Sequence, residues 1–166
     1  SDNRIESLNF GKAELPYLSK LNLNFNPGLD VINISGLDKA FPALEALHLR
    51  DCSIFLVSPE LGKLKNLTFL DLSNNKLNNL PEGLDDCSLE ILRVRNNDLN
   101  NAYWLAELWS LKTLDVSGNE KLRLEEVGHA LLFKDLDEVV VSPGSQNELH
   151  KVFGKLNIDR LKVIGG

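Results

Sequence analysis

The chain has no methionine, even at position 1, only two cysteines, Cys52 and Cys87, and no block of like charge anywhere along its length. Each absence excludes something. A missing initiator methionine points to a processed chain or a piece of something longer, so the lack of an apolar signal segment in "SDNRIESLNF" carries little weight on location. Two cysteines are too few for the disulfide framework of a small secreted domain, which favours an intracellular home, cytoplasmic or nuclear. The 18 Lys and Arg are interspersed with 24 Asp and Glu for a net charge of -6. Direct binding of nucleic acid, which needs a concentrated basic surface, is not expected. No apolar run reaches the roughly 20 residues that a bilayer requires, so no membrane span is expected either.

Catalytic and cofactor signatures are also missing. The sequence holds no G-x-S-x-G, no phosphate-cradling glycine loop and no G-x-G-x-x-G. His48, His129 and His150 have no cysteine or aspartate at metal-ligand spacing. "SPGSQNE" around Gly144 reads as turn chemistry. The acid pairs Asp85–Asp86 and Glu125–Glu126 read as solvated charges. The expectation is a non-catalytic chain with no metal and no cofactor.

What is present is self-similarity. With 166 residues, 43% of them hydrophobic, the chain can bury a substantial core, and it does so with copies of one unit. The pattern L-x-x-L-x-L-x-x-N-x-L is clearest in "LTFLDLSNNKL" from Leu67 and "LEILRVRNNDL" from Leu89. "LEALHLRDCSI" from Leu44 carries Cys52 at the asparagine position, and "LSKLNLNFNPGL" from Leu18 and "LKTLDVSGNEKL" from Leu111 are stretched by one residue. Degenerate copies follow at Leu136 and Ile158, so the starts 18, 44, 67, 89, 111, 136 and 158 are spaced by 26, 23, 22, 22, 25 and 22. Residues 1–17, with "IESLNF" too close to the next copy, are expected to form an N-terminal cap, and 18–166 a solenoid of about seven repeats.

Each copy dictates a local structure. The alternation in "LDL" turns Leu70 and Leu72 inward and Asp71 outward on a short strand. The turn that follows strips backbone groups of partners, which the side-chain amides of Asn26, Asn75, Asn97 and Asn119 can satisfy while linking each coil to its neighbour. Cys52 is expected to substitute in this ladder and Cys87 to fill core. Pro59 and Pro81 suit irregular or 3₁₀-like returns. Leu99, Ala102, Leu105 and Leu108, spaced by three, suit a helical return, and "LEEVGHALLF" reads as a true helix. "GLDVINISGLDKAFPAL" also has room for one.

At 22–26 residues per copy these repeats resemble the leucine-rich-repeat family over residues 18–164. The resemblance implies an α/β solenoid, a right-handed superhelix with a parallel concave sheet and mixed irregular, 3₁₀ and helical convex returns. Protein recognition by the concave face is what such a fold implies. The run from Leu70 to Val127 is similar to the repeats of intracellular families that regulate phosphatases or accompany the origin recognition complex, which implies an adaptor, chromatin-associated in the latter case. The alternative is a structural domain that dimerises through a solenoid end, since "DRLKVIGG" stops on a strand.

Positions three, five and seven of each copy face outward. Among them Arg50, Arg93 and Arg95 flank Asp71 across neighbouring strands, with His48, Phe69 and Ile91 beside them. Arginines and exposed aromatics are enriched at interface hot spots, so this is the expected docking patch for an acidic and apolar partner. The competing reading is that Asp71 merely pairs with the arginines. Tyr103, Trp104 and Trp109 form a second cluster on the convex side; Trp109 is expected to fill the core and Trp104 to lie outward as a lateral contact.

Overall fold

The structure, a computed structural model, describes residues 4–6, 14–29, 31–32, 36–131, 136–156 and 162–165. Parts of the expected N-terminal cap and the start of the last copy at Ile158 lie outside the described residues, as does the side chain of His129.

Seven short strands build one parallel sheet, and six begin two residues after the repeat starts read from the sequence. They are β1 (Lys20–Asn22), β3 (Ala46–His48), β5 (Phe69–Asp71), β6 (Ile91–Arg93), β7 (Thr113–Asp115), β8 (Glu138–Val141) and β9 (Lys162–Gly165), paired in that order. The register is in phase throughout: Leu21, Leu47, Leu70, Leu92, Leu114, Val139 and Val163 lie side by side on the inner face. Because side chains alternate across a strand, that phase places every third, fifth and seventh repeat position on the opposite face.

The core is a stack of leucines. Leu67, Leu70, Leu72, Leu77 and Leu80 of one coil meet Leu89, Leu92, Val94, Leu99 and Leu105 of the next, all buried. Burying a leucine contributes about 1.5–3 kcal/mol, so each coil stabilises the stack only when its neighbours cover it.

Asparagines close the coils as expected. Asn75 Nδ2 donates to the carbonyls of Leu72 in its own coil (2.9 Å) and Leu49 in the preceding one (2.8 Å). Its Oδ1 accepts from the amides of Cys52 and Ile54 at 3.1 and 3.0 Å. Asn97 and Asn119 repeat the scheme, accepting from the amides of Leu77 and Leu99. At Cys52 the rung is half complete: Sγ donates to Leu23 O at 3.2 Å, but a thiol has no counterpart of the amide oxygen. Burial raises the thiol pKa of both cysteines, that of Cys87 to about 11, so neither is a ready nucleophile.

The returns are mixed. After Ser58, whose hydroxyl accepts from Glu60 N, Pro59 opens a 3₁₀ turn over Pro59–Lys63; further 3₁₀ turns span Leu84–Asp86 and Tyr103–Glu107. Helix α1 (Leu37–Ala40) is a single turn, and α2 (Leu124–Leu131) is the helix read from "LEEVGHALLF". Within α2, Glu126 departs from the expected solvated charge: its Oε2 is buried without a hydrogen-bond partner while Oε1 meets Arg123 at 3.3 Å.

Two elements were not expected. Helix α3 (Gln146–Leu156) follows the Pro143–Gly144 turn and sends Leu149 into the core. A two-stranded parallel sheet on the return side pairs β2 (Val31–Ile32) with β4 (Leu56–Val57).

Candidate functional site

Three rows of side chains cross the outer face of the sheet. One runs Lys20, Ala46, Phe69, Ile91, Thr113, Glu138 and Lys162; the next runs Asn22, His48, Asp71, Arg93, Asp115, Val140 and Ile164. The third continues past the strand ends as Asn24, Arg50, Ser73, Arg95, Ser117 and Ser142. The expected patch is therefore brought together, Asp71 standing between His48 and Arg93 on strands about 4.8 Å apart.

The acids of the patch are held by their own coils. Asp71 Oδ1 accepts from Ser73 N at 3.0 Å, and Asp115 Oδ1 accepts from Ser117 N and Oγ at 3.0 and 2.6 Å. This is the short-range bond that aspartate forms with a backbone amide two residues on. Asp71 faces outward but is only 7% exposed, because the neighbours in its row and column are large. Its solvent-facing role is thereby reduced to that of a fixed charge at the floor.

None of the three arginines forms an ion pair with Asp71 among the described residues. Arg50 Nε pairs with Asp51 at 2.9 Å on the rim. The Arg93 guanidinium lies over the Phe69 ring at 5.4 Å from its centroid, a cation–π distance. Arg95 is exposed and has no side-chain partner among the described residues. Phe69 also stacks at 4.7 Å, tilted by 35°, on His48, so the aromatic is clasped from both neighbouring strands. A groove of about 510 Å³ runs beside this cluster, bounded by Arg50, Asp71, Arg93, Arg95, Asp115 and Glu138.

His48 reports on the electrostatics of the patch. Burial depresses its pKa below 6.5, Lys20 and Arg93 depress it further, and Asp71 opposes them. Between the depressed value and 6.5 the unfolded chain binds more protons, so the neutral imidazole's contribution to stability is full above 6.5 and is lost as the pH falls. The imidazole of His48 should titrate below 6.5 by NMR, and Asp71→Asn should move the midpoint lower still. An upward move would mean that Asp71 does not face His48.

On the convex side the tryptophans are exchanged relative to expectation. Trp104 is 8% exposed and Trp109 69% exposed. Leu105 and Leu108 do go inward, and Trp104 follows because its indole Nε1 donates to Asn101 O at 2.9 Å and folds back on the coil. Trp109 falls in the turn that reverses into the next strand and is turned out. The lateral contact at Trp104 therefore falls away as an exposed one. Tyr103 and Trp109 are the exposed aromatics of that return.

Among the described residues, no group of three or more His, Cys, Asp or Glu could hold a metal ion, and no helix is long and apolar enough to cross a membrane.

Comparison with known proteins bears on the fold. Residues 31–142 match the family model described as "Leucine-rich repeat and WD repeat-containing protein 1, LRR". The mouse protein of that name is 42% identical over 66 residues, 40% of this chain and 10% of its own length. Tubulin-specific chaperone E of Xenopus laevis is 31% identical over 158 residues, 89% of this chain and 26% of its own. Transforming growth factor beta activator LRRC32 of Pongo abelii is 35% identical over 101 residues, 60% of this chain and 15% of its own. This chain thus spans about a quarter or less of these relatives. Among solved structures, internalin C2 of Listeria monocytogenes superposes with a TM-score of 0.63 at 25% identity, covering 92% of this chain and 63% of that one. With its in-phase parallel sheet, asparagine ladder and family match over two thirds of its residues, the chain belongs to the leucine-rich-repeat family.

Proposed function

We propose that the chain is a non-catalytic protein-recognition module that holds an acidic and apolar segment of another protein against its concave sheet. One observation carries the reading. Arg93 and Arg95 stand beside the half-buried Phe69 and Ile91, while the acids nearby are occupied by their own coils. Guanidinium groups not committed to a carboxylate of the chain offer forked donors to a partner's carboxylate, and Phe69 and Ile91 offer apolar area beside them. A surface preformed by a rigid sheet loses little entropy when it is filled. Arg50, His48 and Asp71 complete the patch.

The experiment is affinity capture followed by mass spectrometry, then titration of the captured partner against wild type and variants. Arg93→Gln with Arg95→Gln is the informative pair. Charge reversal at Arg93 would set a third acid in register between Asp71 and Asp115 and disturb the fold as well as the site. The expected result is a loss of about 100-fold in affinity with an unchanged unfolding midpoint. Unchanged affinity would move the site off the concave face.

The likeness to a tubulin-specific chaperone over 89% of the chain makes tubulin a rational first candidate for direct titration. An intracellular adaptor role follows from the same reading and from the two buried, unpaired thiols. Self-association through β9 is the competing structural reading, favoured by its half-buried Val163 and Ile164 at the sheet edge. A doubled mass in light scattering would establish it.

A further inference from the structure

The convex side carries a second groove, remote in character from the concave patch. It lies between the returns of two successive coils, where the 3₁₀ turn at Leu84–Asp86 packs beside that at Tyr103–Glu107. Its volume is about 230 Å³. That is below the range of about 300–1,000 Å³ in which whole small molecules are bound, and suits a single long side chain.

The walls are Pro81, Tyr103 and Trp104, and the charged groups around them are Glu82, Asp85 and Glu107. All three acids are exposed, and no lysine or arginine lines the groove. None of the three has an ion-pair partner among the described residues, whereas the adjacent Asp86 is paired with Lys65 at 3.2 Å. The aromatic part is built rather than accidental. Trp104 is tied by its indole to Asn101 O, and Asn101 Oδ1 in turn accepts from Tyr103 N at 3.2 Å, so one residue fixes the Trp104 ring and the Tyr103 backbone.

We propose that this groove binds a basic side chain, a lysine or arginine presented on an extended segment of another protein. The chemistry fits from two directions. An alkyl stem lies well along proline and aromatic surface, and the cationic head is then attracted both by the π-faces and by uncompensated carboxylates. An acidic or neutral side chain would face three like or unsatisfied charges at the same spot. The concave patch selects acid and this groove selects base, so one bound protein with both characters, or two proteins, can engage opposite sides of the solenoid.

Trp104 makes its own reporter. The chain has two tryptophans, and Trp109→Phe, at an exposed position, leaves Trp104 as the sole indole. A lysine- and arginine-containing peptide titrated into Trp109→Phe should change the Trp104 emission saturably. An acidic peptide of the same length should not. Adding Glu82→Gln and Glu107→Gln should weaken the basic peptide by about tenfold, while Arg93→Gln with Arg95→Gln should leave its affinity unchanged. No emission change up to millimolar peptide overturns the proposal. So does binding that survives the two glutamine substitutions, which would show diffuse attraction to an acidic chain. The unfolding midpoint of each variant separates loss of the groove from loss of the fold.

Discussion

Asn75→Ala should cost about 3–5 kcal/mol of unfolding free energy, more than any truncation of an exposed side chain in this solenoid. The amide joins two coils through its four shortest bonds: it donates to Leu72 O and Leu49 O and accepts from Cys52 N and Ile54 N. Alanine leaves buried backbone donors and acceptors on both coils without partners, at about 1–3 kcal/mol for each group that water cannot reach. Three of those four bonds lead to the preceding coil. The interface between the copies starting at Leu44 and Leu67 therefore weakens more than any other, and a repeat protein is held together by such nearest-neighbour interfaces. Urea unfolding followed by fluorescence and by circular dichroism should lose its single transition, with the N-terminal coils melting first. Asn75→Cys should fall between alanine and wild type, because Cys52 shows that a thiol can still donate to the carbonyl of the coil before it. A cost below about 1 kcal/mol for alanine would mean that the coils are held by leucine packing alone.

The phase of the strands, the inward leucines and the asparagine ladder are legible in the sequence because each follows from local geometry repeated in phase. A strand of three residues leaves little freedom in where its side chains point, and Leu70 and Leu72 could only be inside once Asp71 was out. The proline returns are legible for the same local reason, Pro59 and Pro81 suiting short, irregular or 3₁₀-like turns. The features that escaped reading depend on neighbours in space. The alternation of "LDL" places Asp71 on the outer face, yet its burial is set by His48 and Arg93, which belong to other coils. Its bond to Ser73 N could have been read from "DLS", and from "DVS" at Asp115, as aspartate capping the amide two residues on. Trp104 and Trp109 were exchanged because the spacing of Leu99, Ala102, Leu105 and Leu108 fixes those four and says nothing about the residues between them. The α3 helix hid behind the turn residues of "SPGSQNE", although Leu149 and Val152 three residues apart mark its inner face. A further column lies outside the leucine pattern: Phe25, Asp51, Asn74, Asn96 and Gly118, the eighth residue of five coils, all adopt positive φ, from 51 to 70°. Asn74 Nδ2 bonds Asp51 Oδ1 at 3.0 Å and Asn96 Nδ2 bonds Asn74 Oδ1 at 2.8 Å, a second and more exposed ladder. Asparagine, aspartate and glycine tolerate that backbone, and the doubled "NN" of two copies was its signature.

Gly62→Ala is expected to be nearly as damaging as loss of the ladder, for a reason no repeat pattern records. A Cβ built on Gly62 would stand 2.0 Å from Gly83 O and 2.8 Å from Gly83 C, backbone atoms of the next coil. Contacts this short to a side-chain tip relax cheaply, but this carbonyl is committed, since it accepts the Asp86 amide at 3.1 Å that closes the next 3₁₀ turn. Gly83 itself has a φ of 82°, so the turn has no easy alternative path. Relief must come from sliding the Pro59–Lys63 turn away from Leu84–Asp86, which opens the leucine stack at Leu61 and Leu84. Overpacking a well-filled interior costs about 1–3 kcal/mol, and the loss of leucine contacts adds to it, so about 3 kcal/mol or more is expected. Gly154 provides the opposite sign in the same chain. It is an exposed residue of α3 with nothing within 4 Å of an added Cβ, and alanine there should stabilise by about 0.5–1 kcal/mol through helix propensity. Thermal and urea unfolding of the two variants side by side is the check. If the Gly62→Ala shift is small, the Pro59–Lys63 and Leu84–Asp86 turns are not in backbone contact.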